Sequence, residues 1–204
     1  MEVILFYAHV NDRTAHSLIR VINSLREAGR ETVHLLLQTE GGSTGAGLII
    51  HNFIKSSGVK VIAVNMGVVA SMGTVIFCAA EERICLPHSR LLFHPNVWEF
   101  SNEKLGVFQI EEKVNILKKE HDLIASIISS STGKTVEQVK TLMFDHQSFS
   151  AKEAQDFGLV HEIRDFQIPK EAKIIMIDEH PKQPRPGFLP PGFPPGQVIH
   201  FPEG

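Results

Sequence analysis

From its first residues to about residue 165 the chain alternates short apolar runs with amphipathic stretches, and this alternation limits the possible fold more than any other feature. VILFYAHV (3–10) has the unbroken apolar character of a buried strand. DRTAHSLIRVINSLREAGR (12–30) follows as a helix whose Leu18, Ile19, Val21, Ile22 and Leu25 share one face, with Gly29 as its stop. The pair of patterns then repeats. TVHLLLQT (32–39) precedes the helix STGAGLIIHNFIKSSG (43–58), and KVIAVNM (60–66) precedes SMGTVIFCAA (71–80); RICLP (83–87) and RLLFHP (90–95) are two further strands. Strands alternating with helices predict an α/β domain of parallel strands joined by right-handed crossovers. Functional loops then gather at the carboxyl ends of the strands.

Residues 102–131 carry the longest helical pattern, with apolar positions at Leu105, Phe108, Ile110, Val114, Leu117, Leu123, Ile124, Ile127 and Ile128. At about 1.5 Å per residue it spans about 45 Å, more than a domain of this size needs. Either part of it projects to pair with another subunit, or it lies lengthwise on its own domain. TVEQVKTLMF (135–144) and SAKEAQDFG (150–158) read as shorter helices, the second with Ser150 as N-cap and Glu153 completing a capping box. LVHEI (159–163) is a closing strand. Composition then changes after about Pro169, and the run PRPGFLPPGFPPG (184–196) can hold neither a helix nor a central strand. Residues 169–204 are therefore predicted to be an extended or disordered tail. Its Phe188, Leu189 and Phe193 leave open a docking role on a neighbouring subunit or a proline-reading domain.

The chain has 204 residues, 43% of them hydrophobic, enough to build one cored domain. Twenty basic side chains face 23 acidic ones, and no lysine/arginine block marks a nucleic-acid partner. Cys78 and Cys85 both sit in apolar sequence and read as buried free thiols, which suits a reducing cytosol. The first apolar run of about eight residues lacks a basic leader and is far short of the roughly 20 that a membrane span needs. A soluble, cytoplasmic protein without membrane contact is expected.

Three segments carry candidate chemistry. Ser71, in GVVASMG (67–73), lies where a strand meets a helix, a position that suits either an ordinary helix cap or a nucleophile at the positive end of a helix dipole. Its surroundings do not match the G-x-S-x-G elbow. Gly41 and Gly42, in TEGGSTGAG (39–47), let the backbone turn sharply and offer its N–H groups to an anion. No lysine follows to make a phosphate loop, which leaves a tight turn or half of an oxyanion hole. His94 ends a strand just before Pro95, either as a base for Ser71 or as one of 11 histidines at a loop edge.

The segments are also ordered and spaced: Gly41-Gly42, then ASMG with Ser71 29 residues beyond Gly42, then His94-Pro95 23 residues beyond Ser71, then TGKTVEQV and FSAKEAQDFGLV. In this the chain, from about Val3 to Arg164, resembles the Clp protease proteolytic subunit, the ClpP family of serine peptidases. The resemblance implies a crotonase-like spiral of β-β-α units with 102–131 as a protruding handle helix, through which two heptameric rings of the homo-oligomer stack. It implies Ser71 as nucleophile, His94 as general base, and the backbone N–H groups of Gly42 and Met72 as the oxyanion hole. The substrate implied is a peptide or unfolded polypeptide, hydrolysed through an acyl-enzyme with no metal or organic cofactor.

Several positions depart from the family pattern. Where the family carries an orienting aspartate, this chain has His146, with Asp145 one residue earlier. Asp145 is the expected third member of the triad; the alternatives are another acceptor or a weakened Ser–His dyad. Losing such a carboxylate costs a serine protease about 10⁴ in kcat. The family's glycine-rich substrate-binding stretch is replaced by NVWEFSN (96–102), with bulky Trp98 and Phe100, and Glu40 stands where the family often has proline. The chain also starts almost at its first strand, without the family's axial-loop segment, so coupling to an AAA+ unfoldase is left open. Two other function classes fit the same features: a ring subunit with little or no catalysis, and a crotonase-type acyl-CoA enzyme.

Overall fold

The computed structural model describes residues 1–95, 97 and 104–178. The alternation read from the sequence is realised as β1 (Glu2–Tyr7), α1 (Asp12–Glu27), β2 (Thr32–Thr39), α2 (Thr44–Ser56), β3 (Lys60–Ala70), α3 (Met72–Ala79), β4 (Glu82–Cys85) and β5 (Arg90–Leu92). There follow α4 (Val107–Thr132), α5 (Val136–Phe144), β6 (Ser148–Ser150), α6 (Ala151–Phe157), β7 (Glu162–Ile163) and β8 (Lys173–Asp178). The strands form one sheet in the order β6-β5-β3-β2-β1-β8, with β4 pairing both β3 and β7. Every pairing is parallel except β5 with β6, so the expected α/β class with crossovers holds.

The main core lies between the sheet and the helices, with Phe6, Leu18, Ile22, Leu35, Leu37 and Phe77 fully buried. A smaller core on the opposite face gathers Val3, Leu36, Val64 and Ile84 under Phe166 and Ile168. No described helix is long and apolar enough to cross a membrane.

Strand β3 is longer than KVIAVNM suggests, because it forks. Its first half pairs with β4 and its second half, Val68–Ala70, with β5. Two amides stitch the fork. Buried Asn65 donates from Nδ2 to the Arg90 carbonyl (2.9 Å) and accepts from the Gly67 N–H (3.0 Å), while Gln38 Oε1 accepts from the Val68 N–H (2.6 Å). These bonds replace the ladder bonds lost where one neighbour gives way to the other, and so carry the strand through Gly67 to Ser71.

Arg83 is the second internal fastener. It is 6% exposed and donates from Nε to the Leu159 carbonyl (2.6 Å) and from its terminal nitrogens to the carbonyls of Ser131, Gly158 and Ala80. Those carbonyls end α3, α4 and α6, where each helix dipole is negative. One guanidinium thus satisfies three helix termini without a carboxylate.

Two expectations change. The long helix begins at Val107, not at 102, because Gly106 is its N-cap and Gln109 Oε1 accepts from the Gly106 N–H (2.8 Å). Its carboxyl half packs inward through Ile124, Ala125 and Ile128, whereas Val107 and Phe108 near its start are 75% and 80% exposed. The first turn of the helix is therefore left uncovered by the described residues. The domain also continues past Pro169: Lys173–Asp178 pairs with β1 along six residues, Glu2↔Lys173 through Tyr7↔Asp178. KIIMID is β-branched and apolar, and Pro169 lies before it rather than in it. The remainder of the proposed tail, with Phe188, Leu189 and Phe193, lies outside the described residues, as do Trp98 and Phe100.

Candidate active site

Ser71 occupies the N-cap position of α3, at the turn from β3, but its hydroxyl does not cap the helix. Its side chain makes no capping hydrogen bond, and its backbone has φ 52° and ψ −125°, an uncommon conformation for a residue with a Cβ. Holding a residue there costs about 1–3 kcal/mol. Two backbone bonds hold it, from the Ser71 N–H to the Leu92 carbonyl (3.0 Å) and from the Thr74 N–H to the Ser71 carbonyl (2.9 Å). The hydroxyl is left for the cleft.

The glycine pair is built against this turn. Gly41 has φ 91°, and a Cβ there would lie 2.6 Å from Ser71 Cβ and 2.8 Å from the Ala70 carbonyl oxygen. Gly42 has φ 143°, and its Cβ would run into the Val10 carbonyl. Val10, in the segment between β1 and α1, clamps the loop from the other side, since the Val10 N–H donates to Gly41 O and the Ser43 N–H to Val10 O, both at 2.7 Å. The Gly41 N–H is committed to Thr39 Oγ1 (3.1 Å). Among the described residues the N–H groups of Gly42 and Met72 have no acceptor, and Met72 is the first residue of α3. The loop and the start of α3 thus leave two unpaired N–H donors close to Ser71.

His94 follows β5. Its Nδ1 lies 2.9 Å from the Pro95 carbonyl oxygen, which can only accept, so Nδ1 is the donor of that contact and the neutral ring presents Nε2 as its acceptor. Ser71, His94, Gly42, Glu40, His9 and Glu120 line one cleft of about 580 Å³. Beside Ser71 and His94, Phe93, Ile124, Ile128 and Met143 line a narrow cavity of about 10 Å³. Neither cysteine competes as nucleophile: burial pushes the Cys78 thiol up to about 11 and raises that of Cys85 too.

Asp145 does not reach His94. It is the exposed C-cap of α5, its N–H donates to the Thr141 carbonyl (3.0 Å), and its carboxylate makes no hydrogen bond among the described residues. The next residue, His146, takes a left-handed φ of 49°, and this reversal brings its ring alongside that of His94, with centroids 6.4 Å apart and planes at 19°. An acceptor for Nδ1 comes instead from the backbone of Pro95. Sequence reasoning does not specify that acceptor, since any residue supplies a carbonyl. Glu120 and His9 were equally hidden, because only the fold brings α4 and the segment between β1 and α1 to the same cleft.

Comparison with known proteins gives this arrangement a family. Residues 1–167 match the family model described as Clp protease. The chain belongs to the Clp protease family. Among its relatives are the ATP-dependent Clp protease proteolytic subunit 3 of Parasynechococcus marenigrum, 29% identical over 80% of this chain and 82% of the relative, and subunit 2 of Prochlorococcus marinus, 30% identical over 80% and 81%. Among solved structures, a mutant of ClpP1 from Listeria monocytogenes is similar with a TM-score of 0.74, 27% identity and coverage of 81% of this chain and 92% of that one. ClpP1 from the same organism gives a TM-score of 0.69 at 26% identity. The crotonase-like fold of ClpP, expected from the motif order, is therefore the fold of this Clp-family chain.

Proposed function

We propose that this Clp-family chain is a serine endopeptidase that cleaves peptides or unfolded polypeptides within a ring-shaped homo-oligomer. Ser71 attacks the peptide carbonyl, His94 Nε2 takes the hydroxyl proton and returns it to the leaving amine, and water then releases the acyl-enzyme with His94 again as base. The N–H groups of Gly42 and Met72 stabilise the tetrahedral oxyanion in both steps. The Pro95 carbonyl holds the imidazole in the required tautomer in place of a carboxylate. Two buried free thiols suit a reducing compartment, and we place the activity in the cytoplasm.

The observation that carries the proposal is the strained backbone of Ser71, with its hydroxyl free of a capping bond, pressed against Gly41 in a cleft shared with His94. Strain kept at a strand-to-helix serine favours reaction over capping. A second reading, a ring subunit of low activity, is favoured by the neutral acceptor on His94 and by His146 beside it. A carbonyl orients an imidazole but supplies less charge to stabilise the imidazolium than a carboxylate does.

The test is hydrolysis of a fluorogenic peptide by the wild type and by Ser71→Ala, with solution mass measured in parallel. The proposal expects cleavage lost in Ser71→Ala and a mass well above one chain. Equal cleavage by both proteins removes Ser71 as nucleophile, and a monomer at all concentrations removes the compartment.

A further inference from the structure

The cleft beside Ser71 has an uneven charge. Glu40 immediately precedes the Gly41-Gly42 turn, so its carboxylate sits one residue from one glycine and two from the proposed oxyanion donor. It is exposed and lines the cleft, as does Glu120 from α4. No lysine or arginine is among the described lining residues, which otherwise offer glycines, hydroxyls, His9, His94 and Val97. Glu120 is engaged within the chain, so the weight falls on Glu40.

A concave site lined by carboxylates of one sign focuses its field towards the mouth and favours positively charged ligands. Held beside the scissile bond, a substrate cation is attracted and a substrate carboxylate repelled. At a separation of a few ångströms in a half-solvated cleft, each effect is worth up to about tenfold in binding. Glu40 lines the same cleft as Ser71 and lies on the same loop as Gly42, so its charge would act on substrate residues close to the scissile bond.

We infer that the cleft selects peptides carrying a lysine or arginine next to the scissile bond, with Glu40 as the specificity-determining residue. The inference rests on the serine-peptidase reading for turnover, but the charge preference itself is a property of binding. A preference of this origin weakens with salt, because the cleft is open to solvent and the Debye length falls from about 10 Å at 0.1 M to about 3 Å at 1 M.

Fluorescent peptides identical except for Lys, Gln or Glu at a position flanking the scissile bond provide the test. Their kcat/KM is measured on the wild type and on Glu40→Gln and Glu40→Lys. Their binding is measured by anisotropy on Ser71→Ala and on Ser71→Ala combined with each Glu40 substitution. The Lys peptide is expected to exceed the Glu peptide by about tenfold in low salt, to lose most of that advantage in Glu40→Gln, and to fall below the Glu peptide in Glu40→Lys. High salt brings the wild-type ratio towards one. A wild-type ratio near one, or one that Glu40→Gln leaves intact, overturns the inference. If the binding ratio appears on Ser71→Ala while the wild type cleaves nothing, the selectivity stands and the peptidase reading falls. If no peptide binds or is cleaved, both fall.

Discussion

Replacing Gly41 with alanine tests how closely the glycine turn and the serine depend on each other. The new methyl group would start 2.6 Å from Ser71 Cβ, 2.8 Å from the Ala70 carbonyl and 3.1 Å from the Met72 nitrogen. Ordinary contacts at such atoms need 3.4 Å or more, so the Ser71 turn must retreat by several tenths of an ångström to 1 Å. Alanine at φ 91° adds a backbone cost of about 1–2 kcal/mol. A displacement of about 1 Å at a reacting group costs about 10²-fold in rate. Gly41→Ala should therefore lower kcat about 10²-fold and global stability by about 1–3 kcal/mol, the second measured by urea unfolding. Gly29→Ala is the control, with a similar φ of 72° and nothing within 4 Å of its added Cβ. It should lose about 1 kcal/mol of stability and keep its peptidase rate. Equal activity losses in the two variants, or Gly41→Ala activity within twofold of wild type, would refute the coupling between the turn and Ser71.

Other consequences can be read from single residues. His146→Asp places a carboxylate beside His94, and we expect kcat to rise by tenfold or more in a peptide assay with KM little changed, whereas Asp145→Asn should stay within twofold of wild type. Arg83→Met leaves the carbonyls of three helix ends without a donor, so chemical denaturation should show a loss of about 3 kcal/mol or more. Burial lowers the pKa of His34, whose Nδ1 has no hydrogen-bond partner among the described residues, so folding favours its neutral form. A depressed native pKa means that the stability contribution is present above the unfolded value of about 6.5 and is lost as pH falls through the lower native value. Stability followed from pH 7.5 to 5 should drop, and His34→Phe should flatten that slope.

Much of this molecule is legible in its sequence because its strands are buried on both faces. TVHLLLQT carries Val33 and the apolar run Leu35–Leu37, all buried, and β2 occupies Thr32–Thr39 as read. The helix starts are legible for a similar reason: Ser150 and Glu153 form the reciprocal cap that their spacing predicts. What the pattern hides is structure held by side chains across the fold. Gly67 looks like the end of a strand, yet Asn65 and Gln38 carry β3 past it. KIIMID is hidden by the Pro/Gly composition around it, although its own residues favour a strand.

The site divides in the same way. The family resemblance points to Ser71, Gly42 and His94 as candidates, and the three line one cleft; the Pro95 carbonyl beside His94 has no such signal. The exchange of Asp145 for His146 beside His94 depends on a single left-handed residue after α5, and the Pro95 acceptor is a backbone atom common to every residue.

The most direct test of the central claim is covalent. A fluorophosphonate probe reacts with a serine only when its hydroxyl is activated and an oxyanion site receives the phosphonyl oxygen. We predict that intact-protein mass spectrometry will show one adduct per chain, that peptide mapping will locate it at Ser71, and that His94→Ala will suppress it. A wild-type protein that stays unlabelled, or an adduct on another residue, would contradict the account.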